Sequence, residues 1–414
     1  MEVTVITCAP NVPDGRVYDG YRNRFWPQRS IVDGVEVIRV WSWIRPGAGR
    51  RQLMLNYVSY LFTALFAFLF LVRKPSVIVA TTPQFFCGIT GVVASWMKRR
   101  PLVLEVRDIW PESIVTVGAL QRGILIRTLE RLERWMYRRA DHIVAVGPGY
   151  RDNILSKVDV ADRISIVTNG VDLRQFQLDK DASAFKQQYD LEGRFVCSYI
   201  GTVGRAHGLE IVVQAARRLR EESRDDIVFL IVGGGNRLEV IQSMVADEGL
   251  DHWVKITGRV PKSDIPIALT ASHACLVHLS KTDLFEHVIP SKIFETMAMQ
   301  RPIIMGVRGP AREIVIASES GVALEPENYD ELFQIVATFS QHRESARTMG
   351  LKGREFVAEH FNRDVLAADM LKIVRRTATG EHFTMPDRMR YGVDRENSEQ
   401  GIPAADPAPT ETPR

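Results

Sequence analysis

Short, uninterrupted apolar runs alternate with helix-length segments along this chain, and the alternation stops and then restarts. In the first series the strands are Glu2–Cys8, Val35–Trp41 behind an Asp33-Gly34 turn, Ser76–Thr81, Leu102–Val106, His142–Val146 and Ile164–Val167. Helices are read over 53–72, over Phe85–Met97 after a turn at Pro83, and over Gln121–Arg139. Strands that are apolar at nearly every residue are buried on both faces, as in a parallel sheet covered by helices. The turn Asn169-Gly170-Val171-Asp172 and a charged stretch up to Arg194 make a linker. The second series then runs through Phe195–Ile200, Ile227–Val232, Val254–Thr257, Ala274–His278 and Pro302–Met305.

Two such series in 414 residues predict an α/β protein of two Rossmann-like lobes facing across a cleft. In open α/β sheets ligands sit at the carboxyl ends of the strands, so the cleft is the expected site. The boundaries read as 1–173 for the first lobe and 174–362 for the second, with a helix over 363–378 crossing back to the first. Residues 380–414, rich in Pro and charge and poor in large apolar side chains, read as a disordered tail.

The net charge of +3 gives no argument for nucleic acid. Cys8, Cys87, Cys197 and Cys275 are scattered in apolar runs without zinc spacing and read as buried free thiols, which suits a reducing cytoplasm. The opening MEVTVIT has neither a basic n-region nor a cleavage site. Residues 53–72 carry no charge and, as a helix, measure about 30 Å, enough to span a bilayer. Arg45, Arg50 and Arg51 precede them and Arg73 and Lys74 follow, so the flanks lack the one-sided bias of a span. Asn56, Ser59 and Thr63 form a mildly polar stripe. A helix buried against a sheet, an in-plane interfacial helix and a span all remain open.

The strongest chemical constellation is HVIPSKIFETMAMQRPII, His287 to Ile304. Pro290 and Ser291 open a helix, Ser as its cap, and a helix start can hold a pyrophosphate. Lys292 in the first turn opposes the helix dipole unless an anion sits there. Glu295, one turn in, is placed to accept ribose hydroxyls; an ordinary amphipathic helix with a surface Lys and Glu fits the spacing equally well. In YIGTVGRAHGLE, Gly201, Gly204 and Gly208 allow close backbone approach to a phosphate, and Arg205 can clamp it. After LIVGGGN, the segment VKITGRVP brings Arg259 and Val260 to where they could meet a base. In the first lobe, LEVRDIWPES ends a strand with Arg107 and Asp108, read as an ion pair at the cleft, with Asp108 a candidate for the acceptor hydroxyl. Helix Gln121–Arg139 carries Arg122, Arg127, Arg131, Arg134, Arg138 and Arg139. It is either a solvated helix with pairs such as Glu130–Arg134 or a face for anionic lipid.

Taken in order, CAPNVPDGRVYDGYRNR, ATTPQF, VRDIWPESI, TNGVD, GTVGRAHGLE, VGGGN, GRVP and IPSKIFETMA make the chain resemble the family 4 retaining glycosyltransferases of the GT-B fold over Glu2–Arg376. It looks closest to their O-antigen and capsule branch of WbuB-like amino-sugar transferases. The resemblance implies a second-lobe donor site. Glu295 would bind the ribose; Ser291, Lys292 and Arg205 would contact the diphosphate beside Gly204; Arg259 and Val260 would lie by the base. Asp108 and Arg107 would stand near the reacting sugar. It also implies transfer with retention from a nucleotide-sugar donor, a UDP-linked N-acetyl amino sugar being favoured. No metal or other cofactor is implied. The implied acceptor is an undecaprenyl-diphosphate-linked saccharide, and the protein would sit peripherally at the inner, cytoplasmic face of the plasma membrane.

Three departures stand out. Relatives often carry a second glutamate eight positions before the first; His287 is there, with Glu286 adjacent. His207 stands where many have Lys before the glycine. The segment matching EVTVIT is normally preceded by a strand, a glycine loop and a helix, so the first lobe reads as incomplete, with a start upstream expected. A nucleotide-sugar epimerase of the same fold, or an inactive membrane scaffold for a partner transferase, remain the competing readings.

Overall fold

The computed structural model describes residues 2–11, 15–46, 50–82, 84–116, 123–381 and 383. The reading of Pro83 as a turn, of Gln121 and Arg122 as helix and of nearly all of 380–414 as a tail lies outside them.

The first lobe contains β1 (Thr4–Cys8), β2 (Gln28–Val32), β3 (Val35–Val40), α1 (Arg50–Leu71), β4 (Ile78–Thr81), α2 (Phe85–Lys98), β5 (Leu102–Val106), α3 (Glu112–Thr116), α4 (Ile124–Arg139), β6 (His142–Ala145), α5 (Pro148–Lys157) and β7 (Ile164–Ile166). Its strands form two sheets, ordered β1-β3-β2 and β4-β5-β6-β7. All pairings are parallel except β2 with β3. Sequence reading missed β2 because QRSIV is an outward-facing edge with no apolar run. The Asp33-Gly34 turn gives it away: both residues are left-handed, at φ 51° and 78°, as a two-residue hairpin requires.

No ladder joins the two sheets among the described residues; β1 and β4 each end one of them. Helices join them instead. Tyr60, Ala64 and Ala67 of α1 pack on Ile38 and Val40 of β3, with Cys87 of α2 against the same cluster. Lys98, closing α2, donates to the carbonyls of Leu69 and Val72 at 2.8 and 3.3 Å.

The polar stripe of α1 faces inward. Asn56 donates to the Trp43 carbonyl at 3.0 Å, Ser59 accepts the Trp43 N–H at 2.8 Å, and Thr63 donates to the Trp41 carbonyl at 2.7 Å. The apolar residues Leu55, Phe62, Phe66 and Phe70 therefore point outward, with Phe62 and Phe70 65% and 71% exposed. This corrects the reading of a helix buried against a sheet, since only one side of it is covered. Gln52–Leu71 is the one helix among the described residues long and apolar enough to cross a membrane.

The second lobe holds α6 (Ser183–Gln188), β8 (Phe195–Ile200), α7 (Glu210–Glu221), β9 (Ile227–Val232), α8 (Leu238–Asp247), β10 (Val254–Gly258), α9 (Ile265–Ala271), β11 (Ala274–His278), α10 (Lys292–Ala298), β12 (Ile303–Gly306), α11 (Pro310–Ala317), β13 (Gly321–Ala323), α12 (Tyr329–Gln341) and α13 (Arg343–His360). Its six strands are all parallel, in the order β10-β9-β8-β11-β12-β13. The charged linker contains α6, whose Phe185 packs beneath β8 and β9. Phe294 of α10 stacks on Phe361 at 4.4 Å, both fully buried. Truncating either to Ala would cost about 3–5 kcal/mol.

The last helix, α14 (Arg363–Thr379), packs Ile373 and Val374 against Val103 and Val144 of the first lobe. Its start is tied to the interlobe turn: the Val171 N–H donates to the Phe361 carbonyl, and the Arg363 N–H to that of Val171, both at 3.0 Å. Gly170 lies so close to Phe361 that a Cβ would stand 2.3 Å from its carbonyl oxygen.

Candidate active site

Three loops at the carboxyl ends of β8, β9 and β10 interlock through their backbones. The Gly201 N–H donates to the Val232 carbonyl, that of Val203 to Gly234, and that of Gly233 to Gly258, at 2.8–3.0 Å. Glycine is required at two of these crossings. A Cβ on Gly233 (φ 145°) would stand 1.8 Å from the Gly201 carbonyl oxygen, and one on Gly201 (φ 149°) 2.7 Å from the Lys292 ammonium.

Lys292 therefore aims into the Gly201 loop. Its Nζ lies 3.9 Å from the centre of the Tyr199 ring, buried and without a hydrogen-bond partner. Burial pushes it down to about 7, against the pull of Glu295. The Nδ1 of His207 is likewise buried without a partner. Burial, and then the Lys292 charge, push that imidazole down to about 4. An uncompensated buried ammonium is costly, and an anion beside it removes the cost.

The rest of the wall is set by His278. Its Nε2 accepts the Glu327 N–H at 3.0 Å, which leaves Nδ1 protonated to donate to the His207 carbonyl at 2.7 Å. Neither Tyr199 nor His278 was singled out from sequence; both sit inside strands, where the apolar-run reading treats them as core.

Ser291 stands at the N-cap position of α10, as read, but its side chain makes no capping hydrogen bond. Burial raises the Glu295 carboxyl, and Lys292, Arg363 and Lys262 pull it back. Gly204 stands 3.4 Å from the His207 Nδ1, measured from the Cβ position. The Arg259 side chain lies across Gly234, and Val260 is half-buried beside β8 and β9. Arg205 is exposed, and its carbonyl accepts from Ser280 at 3.1 Å.

In the first lobe, Asp108 lies two residues beyond the end of β5. Burial raises its carboxyl, against a weak bond from Ser113 at 3.4 Å. The expected Arg107–Asp108 ion pair is not formed: Arg107 reaches out to Asn169 at 3.1 Å and to Glu105 at 3.9 Å. His287 is turned to the first lobe, its Cβ 2.7 Å from the Cβ position of Gly149 at the start of α5. Glu286 is tied to Arg308 at 3.4 Å. Between the lobes a cavity of about 300 Å³ is lined by Glu112, Val115 and Asn153 on one side and Asp283, Leu284 and His287 on the other. Behind it Lys157 bridges Glu112 at 2.6 Å and the buried Glu133 at 2.8 Å, so α4 is not a plainly solvated helix, and no Glu130–Arg134 pair forms.

Two parallel-sheet lobes across a cleft, with the site at the carboxyl ends of the strands, define the GT-B class. Solved structures share this fold. Sucrose-phosphate synthase of Thermosynechococcus elongatus matches with a TM-score of 0.69 at 19% identity, over 92% of this chain and 90% of that one. HepE of Anabaena, solved with UDP and glucose, matches at 0.65 and 18% identity, over 83% and 86%. Residues 181–356 match the model for glycosyl transferases group 1, and residues 1–170 that for the glycosyl transferase 4-like domain. Among curated proteins, the chain is 24% identical to the "Probable glycosyltransferase WbjE" of Pseudomonas aeruginosa over 67% of this chain and 69% of that one. It is also 24% identical to Escherichia coli K12 WcaI, named for colanic acid biosynthesis, over 82% and 78%. The second lobe is thus similar to the group 1 glycosyl transferases and the first to the glycosyl transferase 4-like domain.

Proposed function

We propose that this glycosyltransferase moves a sugar, with retention, from a nucleotide-diphosphate sugar to an undecaprenyl-diphosphate-linked saccharide in surface polysaccharide synthesis. A UDP-linked N-acetyl amino sugar is the favoured donor, as in WbuB-like transferases. The observation that carries the reading is the buried, unpartnered Lys292 ammonium beneath the Gly201 loop. A donor diphosphate would satisfy it. Ser291 and Arg205 would reach the same phosphates and Gly204 would let them approach. Glu295 would take the ribose, and Arg259 and Val260 would flank the base.

With this positive charge stabilising the leaving diphosphate, the reaction asks for no metal or other cofactor. Asp108, its carboxyl raised by burial, would hold the acceptor hydroxyl or the reacting sugar, and Arg107, turned toward Asn169, would stand near that sugar. His287, at the lobe seam, would contact the sugar rather than the diphosphate. The outward aromatic stripe of α1 supports a peripheral position at the inner, cytoplasmic face of the membrane.

A screen of UDP-, GDP- and dTDP-sugars for transfer or hydrolysis tests the donor. A clear preference for GDP-mannose would overturn the amino-sugar assignment. Unchanged transfer by Glu295→Ala would remove Glu295 from the site.

A further inference from the structure

A cavity of about 770 Å³ is at the other end of the first lobe, where β5 and β6 begin and α2, α4 and α14 end. Trp96, Trp135, Arg99, Arg100 and Arg139 line it. Among the described residues none of these three guanidinium groups meets a carboxylate or a helix-terminal carbonyl. The two acids on the rim are already engaged: Asp141 accepts the Leu102 N–H at 2.8 Å, and Glu381 accepts from Thr379 at 3.1 Å and lies 3.8 Å from Arg376. Arg99 also occupies the left-handed position that caps α2, at φ 53°, where Gly or Asn is the ordinary choice. A cationic cavity with aromatic walls takes an anion attached to an apolar body.

What lies next to it says which. Trp96 is 74% exposed and Met97 half exposed. The bonds from Lys98 to Leu69 and Val72 press this last turn of α2 against the last turn of α1. The outward Phe66 and Phe70, their rings 4.8 Å apart, stand near that end of α1. Arg73 and Lys74 follow directly.

We infer that this cavity holds the phosphate of an anionic phospholipid, with its acyl chains running along Trp96, Met97 and the outer stripe of α1. The inference rests on the membrane position proposed above and adds to it a lipid-selective site outside the cleft.

Vesicle flotation of the full chain tests it, using phosphatidylcholine alone and phosphatidylcholine with about one third phosphatidylglycerol. The wild type is expected to prefer the anionic vesicles. R99Q/R139Q should lose about fivefold of that preference per charge removed, with binding to pure phosphatidylcholine unchanged as the check on folding. Equal wild-type binding to both vesicles, or an unchanged preference in R99Q/R139Q, overturns the site while leaving the membrane position standing. No binding to either vesicle defeats the membrane position and the site with it. Thermal stabilisation by inorganic phosphate alone at submillimolar concentration, lost in R99Q/R139Q, would reassign the cavity to a soluble phosphate.

Discussion

Lys292 is a buried cation waiting for an anion, and its protonation makes that testable. Held at about 7 in the empty protein, it should rise when a diphosphate binds. Donor binding above pH 7 is therefore expected to take up a proton. Affinity should fall as pH rises past about 7, by at most tenfold per unit. Calorimetry at pH 8 in two buffers of different ionisation heat measures the uptake; a value of zero would count against Lys292 as the diphosphate ligand. Lys292→Ala should weaken donor binding about 10- to 100-fold, the worth of a charged hydrogen bond. Gly201→Ala should approach the same loss, because its Cβ would displace the ammonium. Of this site, Lys292, Glu295 and the glycines were legible in the sequence as a helix start and flexible loops. Their convergence was not. That Gly233 rests on Gly201, or that His278 bonds across to His207 and Glu327, depends on which strands are neighbours, and no local pattern records it.

At the scale of elements, α4 shows what a helical pattern hides. Its inward face is Ile126, Leu129, Glu133, Met136 and Tyr137. A periodicity reading assigns Glu133 to solvent by type, whereas the fold buries it with Tyr137 donating to it at 2.8 Å. Burial pushes its carboxyl up to about 7, above its ordinary value of 4.5. The folded state thus keeps a proton that the unfolded chain gives up as pH rises from about 4.5. Stability supplied by this group is full below 4.5 and lost by about 7. Glu133→Gln, which keeps an acceptor for Tyr137, is expected to flatten that decline, by about 1–3 kcal/mol between pH 5 and 8 in urea unfolding. An unchanged slope would mean that Lys157 keeps the carboxylate ionised throughout. For α1, length and lack of charge leave three placements open, and only the neighbouring Trp41 and Trp43 backbones decide that the polar stripe turns inward.

For the whole molecule, two lobes with parallel sheets followed from the repeated alternation of apolar runs and helices, because parallel strands need helical crossovers. Which side of α1 stays uncovered did not follow, since it is set by the Trp41 and Trp43 backbones that the polar stripe meets. Replacing Phe62, Phe66 and Phe70 with Ser should leave the helical content intact, because these side chains point away from the protein. It should also sharply reduce binding to phosphatidylcholine vesicles; retained binding would place the contact elsewhere.

The return of α14 to the first lobe has a mechanical meaning. Its start is paired with the Val171 turn and its body packs on β5 and β6, so the chain passes between the lobes twice at one edge. A single linker lets two bodies twist and slide as well as open, whereas two passages side by side leave rotation about that edge as the easy motion. The cleft can therefore open and close with its two walls kept in register.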